Sequence, residues 1–111
     1  MNVIFNKYQG TGNDFIILDN RDNSYNLSIS AIAMLCDRRF GIGADGLMLL
    51  QNKKGYDFEM IYFNADGNKS TMCGNGGRCI VAFANNLGLI KNKQTHFAVN
   101  ELPYTAIIKS E

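Results

Sequence analysis

A chain of 111 residues is long enough for one domain with its own core, and one domain is its ceiling. With 46% hydrophobic and 19% charged residues it is neither disordered nor a membrane protein, since no apolar run approaches the length of a bilayer span. Eleven basic against ten acidic side chains leave a net charge of +1, with no basic block beyond Arg38-Arg39 and Lys53-Lys54, which argues against nucleic acid as a partner.

Met1 to Tyr8 has neither the apolar stretch nor the small-residue cleavage site of a secretory signal, so a cytoplasmic location is expected. Val3 to Lys7 predicts a short strand, broken at Gly10-Thr11-Gly12-Asn13 and followed by the apolar run Phe15 to Leu18. Asp19 to Asn26 is dense in Asp and Asn and reads as a loop. Ser28 can then cap a helix whose apolar positions Ile32, Leu35 and Cys36 keep helical spacing, with Arg38 and Arg39 in its last turn and Gly41 closing it. After a turn at Gly43 to Gly46, Leu47 to Leu50 and Phe58 to Phe63 read as strands around Asn52-Lys53-Lys54-Gly55.

Asn64 to Gly67 makes a further turn whose glycine suits positive φ. From Asn75 to Leu87 the residues Cys79, Ile80, Ala82, Phe83, Ala84 and Leu87 are apolar on nearly every side, which predicts a helix buried all round and capped by Gly88. Thr95 to Val99 and Tyr104 to Lys109 then resemble a hairpin around Asn100 to Pro103. The expected fold is α+β: a mixed or antiparallel sheet curled around one buried central helix. The N-terminus of that helix opens toward three loops rich in glycine and asparagine, Gly10 to Asn13, Asn64 to Gly67 and Cys73 to Gly77.

The run Cys73-Gly74-Asn75-Gly76-Gly77-Arg78-Cys79 places a thiol where a glycine-rich turn feeds a helix. The first N–H groups of a helix and the positive end of its dipole favour thiolate over thiol. The effect is about 0.3–1 kcal/mol, up to ~2 when partly buried, against 1.36 kcal/mol per pKa unit. It therefore lowers a thiol by roughly one unit from about 8.5, and other groups must complete the ionisation. Cys36 and Cys79 lie within apolar helical patterns and read as core. No paired C-x-x-C exists and His96 is far from all three thiols in sequence, so no metal site is expected.

The segments Phe63-Asn64-Ala65-Asp66-Gly67 and Cys73-Gly74-Asn75-Gly76-Gly77-Arg78 resemble the active-cysteine signature of diaminopimelate epimerase. Gly10-Thr11-Gly12-Asn13-Asp14-Phe15 and Asp37 to Gly46 resemble the segments that accompany it, and the four motifs stand in the same order over most of the chain. The resemblance implies a cofactor-independent isomerase of lysine and peptidoglycan-precursor synthesis that interconverts LL- and meso-2,6-diaminopimelate. Two cysteines on opposite faces of the substrate α-carbon serve that family, one removing a proton and the other returning one. Inversion needs such an arrangement, because a single base tends to return the proton to the face it came from.

By this resemblance Cys73 is one catalytic cysteine, Asn13 and Asn64 bind the far amino-acid end of the substrate, and Gly74 with Asn75 hold the reacting α-carboxylate at the helix N-terminus. Gly46, where some members carry a side chain, receives no direct role. The family's enzyme is two similar domains, and the second supplies the partner cysteine. The chain thus matches the N-terminal domain, residues 1–111, of a two-domain epimerase whose C-terminal domain is absent from it, and alone it is expected to be inactive. The partners expected are diaminopimelate and the missing domain, with homodimerisation left open and no role for nucleic acid or membrane. A proline racemase-like or hydroxyproline epimerase-like enzyme of the same fold is the nearest alternative, and a non-catalytic binding or assembly domain is another. A cysteine hydrolase lacks a suitably placed histidine. Arg78 could stabilise charge near the site, Asp14 and Asp66 are expected to brace loops, and His96 to be structural.

Overall fold

The computed structural model describes residues 3–10, 12–71 and 74–108. Six strands form one sheet whose spatial order follows the chain: β1 (Asn6–Gly10), β2 (Asn13–Asp19), β3 (Gly46–Gln51), β4 (Phe58–Asn64), β5 (Gln94–Val99) and β6 (Leu102–Ile107). Antiparallel hairpins β1–β2, β3–β4 and β5–β6 alternate with parallel crossovers, β2 to β3 through α1 (Ile29–Cys36) and β4 to β5 through α2 (Gly74–Asn86).

The two helices lie on opposite faces, and the strand period of two sorts the side chains between them. Phe15, Ile17, Met48, Leu50, Phe58 and Met60 pack with Ile80, Phe83 and Ala84 of α2. Ile16, Leu18, Leu47 and Leu49 pack with Ile32 and Cys36 of α1. Strands β2 and β3 are covered on both sides, which explains why they read as unbroken apolar runs rather than as alternation.

Several elements depart from the expectation. Strand β1 runs from Asn6 to Gly10 instead of starting at Val3. Its polar residues are recruited by pairing with apolar β2, from Asn6 opposite Ile17 to Gly10 opposite Asn13, and as an edge strand it stays largely exposed. Helix α1 begins as expected, the Ser28 hydroxyl accepting the N–H of Ala31 at 3.1 Å, but it ends at Cys36. Asp37 diverts the chain there: its carboxylate accepts the N–H groups of Arg39 and Phe40 at 2.8 Å each, so both arginines lie beyond the helix.

Helix α2 is amphipathic, not buried all round. Cys79, Ile80, Phe83 and Ala84 are buried, whereas Gly74, Arg78, Ala82 and Asn85 form an exposed stripe at helical spacing. That stripe faces two clefts, one shared with β1 and the other with β5 and β6, and small Ala82 lies on it at no hydrophobic cost large enough to show in the pattern. Gly88 ends the helix with φ 79°, and the Leu89 N–H reaches the Ala84 carbonyl at 3.1 Å, closing the terminal carbonyl in a Schellman arrangement. The last hairpin turns on Asn100 and Glu101, with φ 47° and 75°, so Pro103 sits inside edge strand β6 opposite Ala98. Lys109, expected to end that strand, lies outside the described residues. Among the described residues no helix is long and apolar enough to cross a membrane.

Candidate functional site

The strand registers bring the asparagine-bearing segments to one end of the sheet. Gly46 stands opposite Phe15 on one side and Asn64 on the other, and Asn13 opens β2 two residues before Phe15. On β2 and β4 the alternation that turns Phe15, Met60 and Tyr62 toward α2 sets Asn13 and Asn64 on the same face. Helix α2 begins at this end: the Asn75 Nδ2 donates to the Asn13 Oδ1 at 2.7 Å, across 62 residues of sequence. Among the described residues, therefore, Asn13, Gly74 and Asn75 are brought together by direct contact and chain continuity. Asn64 is exposed at the end of β4, one strand further along the sheet beyond β3. Cys73 lies outside the described residues, immediately before Gly74.

Glycine makes this approach possible. A Cβ on Gly10 would lie 3.0 Å from the Asn75 Cβ, so the strand end and the helix start meet at a separation that a side chain would force apart. The turn after Asn64 is equally constrained: Gly67 has φ 92°, and a Cβ there would lie 2.2 Å from the Ile29 carbonyl oxygen. The same turn is braced by Asp66, whose carboxylate accepts the Asn68 N–H at 2.9 Å, and by the Asn64 N–H bonded to the Asn68 carbonyl at 2.9 Å. At Gly46 a side chain would stand 2.8 Å from both the Phe63 carbonyl oxygen and the Tyr62 ring, so the Tyr62 ring covers this position and no larger residue fits.

Beneath Asn13 lies a charged network. The Arg38 guanidinium binds Asp14 through two nitrogens at 3.1 and 2.8 Å, the Lys7 Nζ approaches Asp14 at 3.0 Å, and Arg38 also reaches Asp45 at 3.1 Å. Arg38 first, then Lys7, outweigh the burial of Asp14 and hold its carboxyl far below the usual range, while Asp14 in turn raises the Arg38 pKa. Asp45 accepts the Asn13 Nδ2 at 3.3 Å and the Asp14 N–H at 3.0 Å. Asp14 thus braces its loop as expected, with the Asp45 N–H donating back to its carboxylate at 3.2 Å. Lys7, Arg38 and Asp45 escape a reading of the sequence, although Asp45 stands within the glycine-rich segment ending at Gly46.

Arg78 donates to the Asn75 Oδ1 and lines both clefts beside α2. The cleft toward β6, about 410 Å³, is bounded mainly by Val81, Ala82, Phe97, Tyr104 and Ala106; the one toward β1, about 580 Å³, is bounded by Tyr8, Gln9 and Gly10. Neither includes Asn13, Asn64 or Asn75. The other cysteines are buried as expected: Cys79 packs in the α2 core, and burial pushes the Cys36 thiol up to about 11, which leaves it protonated and unreactive. His96 is held by Thr105, its Nδ1 2.9 Å from the hydroxyl, and serves the β5–β6 hairpin. Among the described residues no group of His, Cys, Asp and Glu could hold a metal ion.

Residues 5–106 match the family model described as diaminopimelate epimerase. The chain belongs to that family. It is 58% identical over 106 residues to the diaminopimelate epimerase of Flavobacterium psychrophilum, covering 95% of this chain and 41% of that protein. With the diaminopimelate epimerase of Chlorobaculum tepidum the identity is 48% over 103 residues, 92% of this chain and 40% of the relative. The chain thus spans about two fifths of the length of these relatives. Among solved structures, methylitaconate-delta-isomerase superposes on the whole chain with a TM-score of 0.71 at 13% identity, covering 61% of that structure. A phenazine biosynthesis protein of the PhzF family from Bacillus anthracis superposes with a TM-score of 0.70 at 16% identity, covering 38% of it. These two likenesses establish the fold.

Proposed function

We propose that this chain is the N-terminal half of a cofactor-independent diaminopimelate epimerase, holding one side of an active site for LL- and meso-2,6-diaminopimelate. The observation that carries the reading is the Asn13–Asn75 contact at the start of α2, directly after Cys73 in sequence, in a chain of this family. Two side-chain amides offer donors and acceptors suited to a zwitterionic amino acid, and the N-terminal end of a helix, with the positive end of its dipole, suits a carboxylate.

In this reading Asn13 and Asn64 take the far amino-acid end of the substrate, and the backbone of Gly74 and Asn75 holds the reacting α-carboxylate. Cys73 as thiolate removes the α-proton, and the electron pair left on carbon is delocalised into that carboxylate. A thiol from the remainder of the longer protein gives a proton to the opposite face, so the two sulfurs exchange protonation states and no electrons are gained or lost. One thiolate and one thiol are needed together, and activity is bell-shaped in pH. The enzyme acts in the cytoplasm, on the route to lysine and peptidoglycan precursors.

The test is conversion of LL-2,6-diaminopimelate in deuterium oxide. The full-length protein is expected to form the meso isomer with deuterium at the inverted carbon and to leave proline and hydroxyproline unchanged. The 111-residue chain alone is expected to invert nothing. Inversion by this chain alone, or turnover of proline in preference, overturns the reading.

A further inference from the structure

We propose that Asp45 is a positioning residue that fixes which way the amides of Asn13 and Asn75 face, and so sets the affinity of the site for its amino-acid substrate. Three hydrogen bonds run in one direction. The Arg78 guanidinium donates to the Asn75 Oδ1, the Asn75 Nδ2 donates to the Asn13 Oδ1 at 2.7 Å, and the Asn13 Nδ2 donates to the Asp45 Oδ2 at 3.3 Å.

A side-chain amide can turn over with little change in shape, since its oxygen and nitrogen are similar in size, so sterics alone leave two orientations open. The ends of this row remove the ambiguity. A guanidinium only donates and an ionised carboxylate only accepts. Turning Asn13 over would set its oxygen against the Asp45 carboxylate and its N–H₂ against that of Asn75, replacing two attractions with two repulsions.

Asp45 is itself held firmly enough to act as the fixed end. Its other oxygen accepts Arg38 at 3.1 Å, its Oδ2 also accepts the Asp14 N–H at 3.0 Å, and its own N–H bonds Asp14 through the carboxylate and the carbonyl, at 3.2 and 3.0 Å. Lys7 pairs with Asp14 at 3.0 Å, and Arg38 pairs with both carboxylates, at 2.8 Å to Asp14 and 3.1 Å to Asp45. An Asn13 amide uses one of its two N–H bonds and one of its two lone pairs within the row. What it offers a ligand is therefore decided by Asp45, some distance behind it: a carboxylate needs the donor side and an ammonium needs the acceptor side.

The inference rests on the epimerase reading for its substrate, but the row of amides does not, and two measurements separate them. In full-length enzyme, Asp45→Asn replaces an acceptor-only end with a group that can face either way. KM for LL-diaminopimelate is expected to rise about tenfold, with kcat changed less than about twofold, as for loss of a hydrogen bond to a charged partner that acts in binding. Asp19→Asn, at the opposite end of β2, removes a carboxylate paired with Arg21 and is expected to leave both constants alone. In ¹⁵N-labelled protein, the side-chain amide signals of Asn13 and Asn75 are expected to move or double in Asp45→Asn. If that variant fails to fold, the exposed Arg78→Met opens the row at its other end and is expected to move the same signals. Unchanged amide signals, or an unchanged KM where the signals do move, overturn the positioning role. Absence of epimerisation by the wild-type enzyme overturns the epimerase reading instead, and the amide signals still decide whether Asp45 orients the row.

Discussion

The two crossover helices are built alike and end up with opposite uses. Each links two parallel strands and packs one face on the sheet, but α1 begins at Ser28, whose own hydroxyl satisfies the N–H of Ala31. Helix α2 begins with Gly74, Asn75, Gly76 and Gly77, and its start is pressed against Gly10 and bonded to Asn13. A Ser cap closes a helix with its own side chain, whereas a first turn made of glycine and amide lets the backbone of another segment come close. The cysteines follow the same division. Cys36 closes α1 inside the core with its thiol pushed up to about 11, while Cys73 directly precedes α2.

Breaking the link between the two regions should have the largest effect. The Asn64–Gly67 turn rests on the start of α1, where a Cβ on Gly67 would stand 2.2 Å from the Ile29 carbonyl oxygen at φ 92°. Gly67→Ala is expected to cost about 3 kcal/mol or more, combining overpacking with an unfavourable backbone, read as a fall in the midpoint of urea unfolding. Gly10→Ala tests the α2 side. Its Cβ meets the Asn75 Cβ at 3.0 Å, so the variant is expected to lose about 1–3 kcal/mol and to shift the side-chain amide signal of Asn75. Ser28→Ala tests the α1 side: a loss of about 1 kcal/mol on thermal unfolding, with no change in substrate affinity in the full-length enzyme.

The smallest effects are in pH, and they run in opposite directions for the two regions. The Asp14 carboxyl is held below its unfolded value by Arg38 and Lys7, so its contribution is present above the ordinary carboxylate range and is lost as pH falls through and below it. Asp14→Asn should flatten the acid limb of the stability profile. The Cys36 thiol is raised by burial, so its contribution is complete below 9.0 and declines as pH climbs toward about 11; Cys36→Ala should flatten that alkaline limb.

Much of this was legible in the sequence where one residue type has one physical meaning. Ser28 as a cap, Gly67 and Gly88 at positive φ, and the buried β2 and β3 runs all follow from local chemistry. The Asn13, Asn75 and Asn64 motifs marked the end of the sheet that the registers assemble. What local pattern cannot supply is which polar residues a neighbour recruits. Strand β1 takes its position from β2, Asp37 outcompetes the helix that Arg38 and Arg39 would have continued, and the exposed stripe of α2 is disguised by Gly74 and Ala82. The Lys7–Asp14–Arg38–Asp45 network joins residues up to 24 positions apart in charge pairs that no periodicity marks.

Whether the cysteine that precedes α2 in sequence is one of two proton-transferring thiols is decided by replacing it in the full-length enzyme. Cys73→Ala is expected to slow inversion of LL-diaminopimelate by about 10²–10⁴-fold, whereas Cys79→Ala, six residues later and buried in the core, is expected to keep its rate. Inversion by Cys73→Ala at the wild-type rate would contradict the account.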